Sequence, residues 1–138
     1  MMAGKAQLFG DSEIREQILK CNAPKQIKAL GRKVRSFDQK VWDKFKYAIV
    51  LGGNWCKFNQ NRDLREFLLS TGDSVLVEAS PYDNIWGIRL AASSPEAQDP
   101  TQWRGQNLLG FALMEVRDEL CRVTQNEMLC DWSTVWQK

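Results

Sequence analysis

Apolar side chains recur at helical spacing through much of the first seventy residues, and this periodicity most constrains the fold. Val41, Phe45 and Ile49 lie four residues apart, which predicts an amphipathic helix. Shorter stripes lie on both sides of it, at Ile14 and Ile18, at Ile27, Leu30 and Val34, and at Leu64, Phe67 and Leu68. Residues that favour helix starts precede each shorter stripe. A mostly helical chain is therefore predicted.

Two features interrupt this helical pattern. Gly52 and Gly53 should end or kink the long helix. In SVLVEAS, residues 74–80, apolar and other side chains alternate, which predicts a strand that ends at Pro81. WGIRL at 86–90 is a second strand candidate. We therefore expect an α+β fold that is mostly helical and has a small β element.

The length and composition fit one soluble globular domain. The chain has 138 residues, of which 43% are hydrophobic and 26% charged, and its net charge of +2 provides no bulk attraction to nucleic acid or to a membrane surface. No apolar run reaches the length that crosses a bilayer, and the N-terminal residues lack the pattern of a signal peptide. We therefore expect a cytoplasmic protein without a membrane partner.

The absence of histidine limits the chemistry open to this chain. The four cysteines, Cys21, Cys56, Cys121 and Cys130, are widely spaced and are predicted to be free thiols. Without histidine they form no common zinc set, and no Ser-His or Cys-His nucleophile pair exists. Neither a metal nor a cofactor is therefore expected. Carboxylates, lysine, tyrosine or water would have to move protons in any reaction.

Residues 77–88, VEASPYDNIWGI, place two carboxylates and a tryptophan around a predicted turn. Glu78 is either an exposed residue at a strand end or a carboxylate held in a pocket. Asp83 is either a turn residue that binds its own backbone or a catalytic group. Trp86 is either a core residue or a ligand contact. The spacing alone leaves these alternatives open.

Two further segments carry cations. Lys57 follows Gly52, Gly53 and Asn54, and this polar cluster either binds phosphate or is a capped loop between helices. The basic run at 25–35, KQIKALGRKVR, has most of its cations around a predicted apolar helix face, which favours a solvated surface. No aromatic residue interrupts the basic run, so single-stranded nucleic acid is not favoured.

Five segments, in this order, resemble the NADAR family: MMAGKAQLFGD, LGRKVRSFDQKVWD, GNWCKFNQN, LLSTGDSVLVEASPYDNIWGI and WRGQNLLGFALMEVRDEL. The most specific parts are VEASPYD-x-IWGI and GQNLLG. The resemblance covers about residues 1–122 and implies one NADAR-type domain there. Residues 123–138 form a C-terminal tail, in which Trp132 and Trp136, about one helical turn apart, predict a short docking helix.

The resemblance also implies a reaction, because the family includes N-glycosidases that break down intermediates of riboflavin biosynthesis. Water would cleave the C–N glycosidic bond between a ribose phosphate and an amino-pyrimidine. The alternative within this class is an ADP-ribosyl hydrolase that acts on ADP-ribosylated guanine. The expected partner is thus a small ribosyl phosphate or ADP-ribose, and nucleic acid is expected only in the second case.

Matched position by position, the family resemblance implies catalytic roles for three residues. Lys5 matches the lysine of M-x-x-K-A, an amine that could form an imine with the opened sugar. Asp83 would activate water or orient the ribose, and Glu78 would support it electrostatically. Trp86 would provide a stacking wall for the base.

Three further residues are implied to bind substrate. Lys57 and Asn107 fall in matching polar segments and are expected to contact phosphate and ribose. Arg89 stands where the family has a second glycine, as WGIG, and would either crowd the pocket or add a phosphate contact.

The resemblance further implies a segment ahead of Met1, consisting of two short strands and a helix start that bears a catalytic glutamate. This sequence is shortened relative to that pattern. The alternative from another functional class is therefore a catalytically inactive nucleotide-binding module. Apolar surface that such a segment would cover predicts self-association.

Overall fold

The computed structural model of the chain describes residues 1–130, and these residues are mostly helical, as predicted. The six α-helices of the described residues are α1 (Met2–Leu8), α2 (Ser12–Lys20), α3 (Pro24–Arg32), α4 (Gln39–Gln60), α5 (Arg62–Ser70) and α6 (Leu108–Leu129). Two short 3-10 helices, Pro95–Gln98 and Pro100–Gln102, lie between α5 and α6. None of the described helices combines the length and apolar character needed to cross a membrane.

The chain divides into two compact units, an N-terminal unit of Met1–Gly53 and a C-terminal unit that begins at Asn54. In the N-terminal unit, α1, α2 and α3 enclose a small apolar core. Its buried residues are Ala6, Ile14, Ile18 and Val34. The predicted stripe of α2 thus supplies Ile14 and Ile18, while the next stripe supplies Val34, just after α3, with Ile27 and Leu30 of α3 partly buried against the core.

A buried carboxylate joins two ends of helices in the N-terminal unit. Asp11 is only 3% exposed, and its Oδ1 accepts the N–H of Ile14, which caps α2. Arg35, which follows α3, donates its backbone N–H and its Nε to Oδ2, at 2.9 and 3.1 Å, and its Nη2 to Oδ1 at 2.7 Å. These hydrogen bonds hold the pKa of the Asp11 carboxyl well below its usual range.

In the C-terminal unit, α5 and α6 pack together and the segment between them folds against α6. The buried side chains of the helices include Leu68 of α5 and Ala112, Val116 and Leu120 of α6. Arg117 of α6 is also buried, and its Nη1 donates to Thr71 Oγ1 and to the carbonyl of Ser74, both at 2.8 Å. This guanidinium fixes the point where the segment after α5 begins.

The prediction of a small β element is wrong, since the described residues contain no strand. Residues 74–80 have no bend or turn, but a side chain, that of Asn107, occupies the position of a neighbouring strand. Residues 86–90 contain bends, and only Ile88 donates a backbone hydrogen bond to the first segment, at Glu78 O (3.0 Å). One such bond does not make a ladder.

Gly52 and Gly53 were predicted to end or kink the long helix. They do not end it, because α4 continues to Gln60. A glycine inside a helix costs only about 1 kcal/mol relative to alanine. Val50 and Phe58, before and after the two glycines, are both buried. Burial of such side chains stabilises a helix by more than this cost.

Residues 123–129 continue α6 without a break. The predicted docking helix rests on Trp132 and Trp136, which lie outside the described residues. The boundary between a domain at 1–122 and a tail at 123–138 therefore stays a prediction.

We expect Asp11→Asn to destabilise the chain and to reduce the acid sensitivity of folding. Because the folded pKa of Asp11 is depressed, its carboxylate contributes stability that is fully present above the unfolded pKa of about 3.9 and is lost as the pH falls through the folded value. Urea denaturation at successive pH values should show this loss in the wild type below about pH 5. The variant should lose less stability over the same range.

Glu13→Gln is the matched control for this prediction. Glu13 also contacts Arg35 Nη2, at 3.1 Å, but both side chains are well exposed there. Exposed ion pairs contribute little to stability, so this variant should follow the wild type. Equal acid sensitivity in Asp11→Asn and wild type would contradict the assignment.

Candidate active site

The turn that carries Asp83 is held by its own carboxylate. Asp83 Oδ1 accepts the backbone N–H groups of Ile85 at 3.0 Å and of Trp86 at 2.8 Å. This is the local bonding that makes aspartate a frequent turn residue. Asp83 is half-buried, and within the described residues no hydrogen bond to its Oδ2 occurs. One oxygen thus shapes the turn, while the other is left for water or a ligand.

The same turn satisfies the N-terminal amides of α6. The first N–H groups of a helix have no partner within the helix and need acceptors elsewhere. Here the amides of 106–109 donate to carbonyls of 84–87, with N···O distances of 3.0–3.2 Å. The pairs are Gln106 to Asn84, Asn107 to Gly87, Leu108 to Ile85, and Leu109 to Trp86. The Asp83–Trp86 turn is therefore docked directly on the start of α6.

Asn107 connects this turn to the extended segment 74–80. The residue is 0% exposed and has φ 52°, a left-handed conformation that asparagine tolerates better than most residues. Its Oδ1 accepts the N–H of Glu78 at 3.0 Å, and its Nδ2 donates to the carbonyl of Leu76 at 2.9 Å. The side-chain amide thus replaces one peptide group of a neighbouring strand. This geometry makes Asn107 a positioning residue, and its expected ribose contact stays a prediction.

Glu78 lies between the Asp83 turn and an apolar cavity. Its carbonyl accepts the N–H groups of Ser80 and Ile88, both at 3.0 Å. A Cβ on Gly87 would come within 2.7 Å of the Glu78 carbonyl and 3.0 Å of the Asp83 carbonyl, so only glycine fits there without a shift. Glu78 is half-buried, which favours a pocket position over an exposed strand end.

The cavity next to Glu78 has a volume of about 200 Å³. Most of its lining is apolar and comes from α4, α5, the extended segment and α6, including Phe58, Leu68, Leu76, Leu109 and Leu113. Glu78 is the one carboxylate among the lining residues. An apolar space of this size accommodates a single aromatic ring.

Arg89 and Arg104 are exposed cations on neighbouring stretches of backbone beside the turn. The N–H of Arg89 donates to the Asp83 carbonyl at 3.1 Å, and the N–H of Arg104 donates to the carbonyl of Ile88 at 3.0 Å. Arg89 has φ 57°, a left-handed conformation that strains a non-glycine residue. This conformation supplies a physical reason for a glycine at this position in the resembling family pattern.

The remaining sequence-predicted residues of the C-terminal unit are Trp86 and Lys57. Trp86 is half-buried in the Asp83 turn, and its backbone N–H donates to Asp83 Oδ1. Lys57 is exposed on α4, with its Nζ 5.2 Å from the ring centroid of Phe58. The cluster around Lys57 is thus helical and not the loop that the glycines suggested. The structure therefore brings Glu78, Asp83 and Trp86 together with Asn107 and Arg89.

Lys5 belongs to the N-terminal unit, where it lies on α1 in an aromatic setting. Its Nζ donates to the carbonyl of Gly31 at 2.9 Å and lies 4.0 Å from the ring centroid of Phe37 and 5.9 Å from that of Trp42. Burial lowers the pKa of the Lys5 ammonium below its ordinary value. A lowered pKa favours the neutral amine, which is the form that attacks a carbonyl.

Sequence reasoning missed Arg104 and the positioning function of the 106–109 amides. Both depend on contacts across about twenty residues of chain, since their partners lie at 84–88. The sequence signal for Asn107 is its place just ahead of an apolar stripe at helical spacing, Leu109, Leu113, Val116 and Leu120, which predicts a helix with Asn107 as its cap. Asn107 is indeed the N-cap of α6, but its side chain makes no hydrogen bond to the helix.

Comparison with known proteins identifies a family match over most of the chain. The family model described as "NADAR domain" matches residues 1–121. Among similar proteins, N-glycosidase R617 of Acanthamoeba polyphaga mimivirus is 50% identical over 119 residues, which cover 86% of this chain and 70% of that protein. Protein irg-1 of Caenorhabditis elegans is 43% identical over 121 residues, 86% of this chain and 57% of that protein.

A bacterial relative shows the same relation at greater distance. N-glycosidase YbiA of Escherichia coli (strain K12) is 32% identical over 116 residues, which cover 84% of this chain and 66% of that protein. The chain thus spans between 57% and 70% of the length of these relatives.

We expect Asn107→Ala to lower the free energy of unfolding by about 3 kcal/mol, because two half-buried peptide groups, at residues 76 and 78, lose their partner. Alanine also disfavours the left-handed backbone at this position. Asn107→Gly is the matched control, since glycine tolerates that backbone but lacks the amide. Urea denaturation of both variants separates the two costs. A glycine variant as stable as the wild type would show that the amide does not hold the segment.

We expect Arg89→Gly to raise the free energy of unfolding by up to about 1 kcal/mol, because glycine relieves the left-handed strain at this position. Arg89→Ala removes the guanidinium and keeps the strain, so it should leave stability nearly unchanged. Thermal and urea denaturation of the two variants test this difference. A glycine variant that is less stable than the alanine variant would contradict the prediction.

Proposed function

We propose, on the premise that this chain belongs to the NADAR domain family, that it is an N-glycosidase, a hydrolase acting on N-glycosyl bonds. Relatives named N-glycosidase in a virus and in bacteria support this proposal. The substrate that we propose is a phosphoribosylated amino-pyrimidine of the kind formed in riboflavin biosynthesis. Its C–N glycosidic bond would be broken by water, and the products would be ribose 5-phosphate and the free amine of the base.

The observation that carries the proposal is the state of the Asp83 carboxylate. Cleavage of a glycosidic bond develops positive charge at the anomeric carbon, which a nearby carboxylate stabilises. Asp83 Oδ1 is bound to the N–H groups of Ile85 and Trp86, so its direction is fixed before substrate arrives. Preorganised charge of this type needs no rearrangement during the reaction. Oδ2 is then the oxygen that activates water or binds a ribose hydroxyl.

Glu78 and Trp86 support the same reaction in different ways. The carboxylate of Glu78 would add a second negative charge near the turn. Its position follows from its backbone, since the Glu78 carbonyl accepts the N–H of Ile88 and lies close to Gly87. Trp86 follows Asp83 by three residues, and its indole provides a face on which a flat pyrimidine can stack. We assign Asp83 as the reacting carboxylate, Glu78 as an electrostatic support and Trp86 as the base contact.

For Lys5 we propose attack by the amine on the opened sugar. When the sugar ring of the N-glycoside opens, C1 carries an imine to the amino-pyrimidine, and the neutral amine adds to this carbon and expels the amino-pyrimidine. Water then hydrolyses the lysine imine to the aldehyde of ribose 5-phosphate and the free amine, so the step balances with water as the only co-reactant. The lowered pKa of Lys5 supports this function because it raises the fraction of neutral amine.

Binding of the substrate phosphate falls, in this proposal, to arginines beside the Asp83 turn. Arg89 and Arg104 are both exposed, and their backbones are bonded to Asp83 and Ile88. Guanidinium groups bind phosphate oxygens through two parallel hydrogen bonds. Lys57 and Asn107 remain predicted contacts to phosphate and ribose.

Asp83→Asn should lower kcat/KM for 5-amino-6-(5-phosphoribosylamino)uracil by at least ~10²-fold, the usual scale for loss of a positioned acid or base. Asparagine retains an Oδ1 that accepts the two backbone N–H groups of the turn, so the variant removes the charge and preserves the fold. Release of ribose 5-phosphate is the measurement. Asp73→Asn, at an exposed position just before the extended segment, is the matched control and should match the wild type.

The same assay with ADP-ribosylated guanosine separates the two substrate classes. Release of ADP-ribose in place of ribose 5-phosphate would move the proposal to the ADP-ribosyl hydrolase reaction. Binding of both compounds without release of either product would contradict hydrolysis and favour a nucleotide-binding module. Equal rates in Asp83→Asn and wild type would remove Asp83 from the catalytic residues.

A further inference from the structure

The side-chain amine of Lys5 has two fixed neighbours within the N-terminal unit. Its Nζ donates to the carbonyl of Gly31 at 2.9 Å and lies 4.0 Å from the ring centroid of Phe37. An ammonium at this distance from the face of an aromatic ring is attracted by the negative charge of the π system. A neutral amine keeps the same two neighbours through its N–H groups, which also donate to a carbonyl or to a ring face. The amine is therefore held on two sides.

The Gly31 carbonyl is open to Lys5 because it lies in the last turn of α3. The last four carbonyls of a helix have no N–H partner within the helix. The amide four residues after Gly31 is that of Arg35, and it donates to Asp11 Oδ2 at 2.9 Å instead of continuing the helix. The buried carboxylate that clamps the chain after α3 thus leaves this carbonyl for Lys5.

The backbone on both sides of Phe37 fixes the position of its ring. Ser36, just before it, has φ 54°, a left-handed conformation that is unfavourable for serine and persists only where its surroundings impose it. Asp38, just after it, accepts the N–H of Val41 through Oδ1 at 2.9 Å and caps the start of α4. Phe37 is therefore placed between a strained turn and a helix cap.

A second aromatic ring supports Phe37 in this position. The rings of Phe9 and Phe37 pack edge to face, with centroids 5.3 Å apart and planes at 62°. Phe37 is nevertheless 41% exposed, and Lys5 is half-buried. The ring is thus held in place without being enclosed, and the amine beside it is still open to a ligand.

Phe45 shows what an incidental contact of the same kind looks like in this unit. Phe45 is 40% exposed, and the Nζ of Lys44 lies 5.4 Å from its ring centroid. Those two residues are neighbours in the chain and both are exposed on α4. Lys5 and Phe37 belong to distant parts of the sequence and approach more closely. Their contact is therefore a product of the fold.

We propose that Phe37 is a positioning residue for the Lys5 amine, an inference that rests on the proposed function. In that reaction the neutral amine adds through its lone pair to C1 of the opened sugar and expels the amino-pyrimidine. The nitrogen has two hydrogens and one lone pair. The Gly31 carbonyl takes one hydrogen, and the Phe37 face takes the other, because the negative face of the ring repels a lone pair. The lone pair is left in the remaining direction, so its orientation is set before the sugar arrives.

Phe37→Leu tests this positioning, because leucine keeps an apolar side chain and removes the ring face. Open-chain ribose 5-phosphate has an aldehyde, which the Lys5 amine converts to an imine with loss of water. Cyanoborohydride adds hydride to the imine carbon, and water supplies the proton that completes a stable secondary amine. Mass spectrometry of the Lys5 peptide gives the labelling rate without any need for glycosidase turnover.

We expect Phe37→Leu to label Lys5 about tenfold more slowly than the wild type at the same pH, the scale on which loss of orientation acts. Loss of the ring face removes an attraction for the ammonium and does not lower the fraction of neutral amine, so the slower rate reports orientation. Phe37→Tyr keeps the ring face and should recover most of the rate. A packing function alone would survive in the leucine variant.

Two references accompany these variants. Phe45→Leu removes a ring of nearly equal exposure and should leave the labelling rate of Lys5 unchanged. Lys28, exposed on α3, is the internal reference in every protein, and Lys5 should label faster than Lys28 in the wild type. Turnover of 5-amino-6-(5-phosphoribosylamino)uracil is measured on the same samples. There Phe37→Leu should lower kcat by about tenfold and leave KM within about twofold.

The results separate this inference from the proposed function. Equal labelling of Lys5 in Phe37→Leu and wild type would overturn the positioning and leave hydrolysis standing. So would a Phe37→Tyr variant as slow as Phe37→Leu, or a wild type in which Lys5 labels no faster than Lys28. A wild type that labels Lys5 but releases no ribose 5-phosphate would contradict the proposed function, and the labelling rates would still decide whether Phe37 orients the amine.

Discussion

The candidate site depends on how the first turn of α6 satisfies its unpaired amides. A helix start needs acceptors for its N–H groups, and a buried helix start without them would be costly. In this chain the carbonyls of 84–87 are those acceptors, and the Asn107 side chain adds two bonds to residues 76 and 78. One helix end thus fixes both stretches that carry the carboxylates Glu78 and Asp83. Movement of α6 at this end would move both carboxylates together.

This arrangement provides strand-like order without a sheet. Asn107 presents one acceptor and one donor, which is what one peptide group of a neighbouring strand presents. It can do so at residue 107 because the left-handed backbone turns its side chain away from the helix that it begins. Gly110, one turn later, lacks a side chain where the Leu76 carbonyl and the Asn107 amide approach the helix. The left-handed Asn107 and the small Gly110 thus take the place of a second strand beside residues 76–78.

Much of the helical fold was predictable from the sequence, because apolar periodicity and helix-start residues are local signals. The stripe with Ile14 and Ile18 became buried core, and α6 starts after Asn107 as its apolar spacing indicated. The β prediction failed because the alternation in 74–80 reports an extended backbone and not the identity of its partner. Asp83 illustrates the same limit at the site, because its place in the sequence fits either a turn residue or a catalytic group. In the structure Oδ1 makes the turn and Oδ2 remains available, so the two functions are compatible. The family resemblance identified residues 77–88 as the candidate site, and the hydrogen bonds of the Asp83 turn show how that segment is folded.

The use of the α6 amides also limits where the phosphate of the proposed substrate could bind. A free helix N-terminus attracts anions through its unpaired N–H groups and its dipole. The amides of 106–109 are already bound to carbonyls of the Asp83 turn, so they cannot also bind phosphate oxygens. In the proposed reaction, the substrate phosphate would therefore be bound by side-chain cations in this part of the C-terminal unit. Arg89 and Arg104 are exposed cations whose backbones are bound to that stretch, Arg89 through its N–H to the Asp83 carbonyl and Arg104 through its N–H to the Ile88 carbonyl.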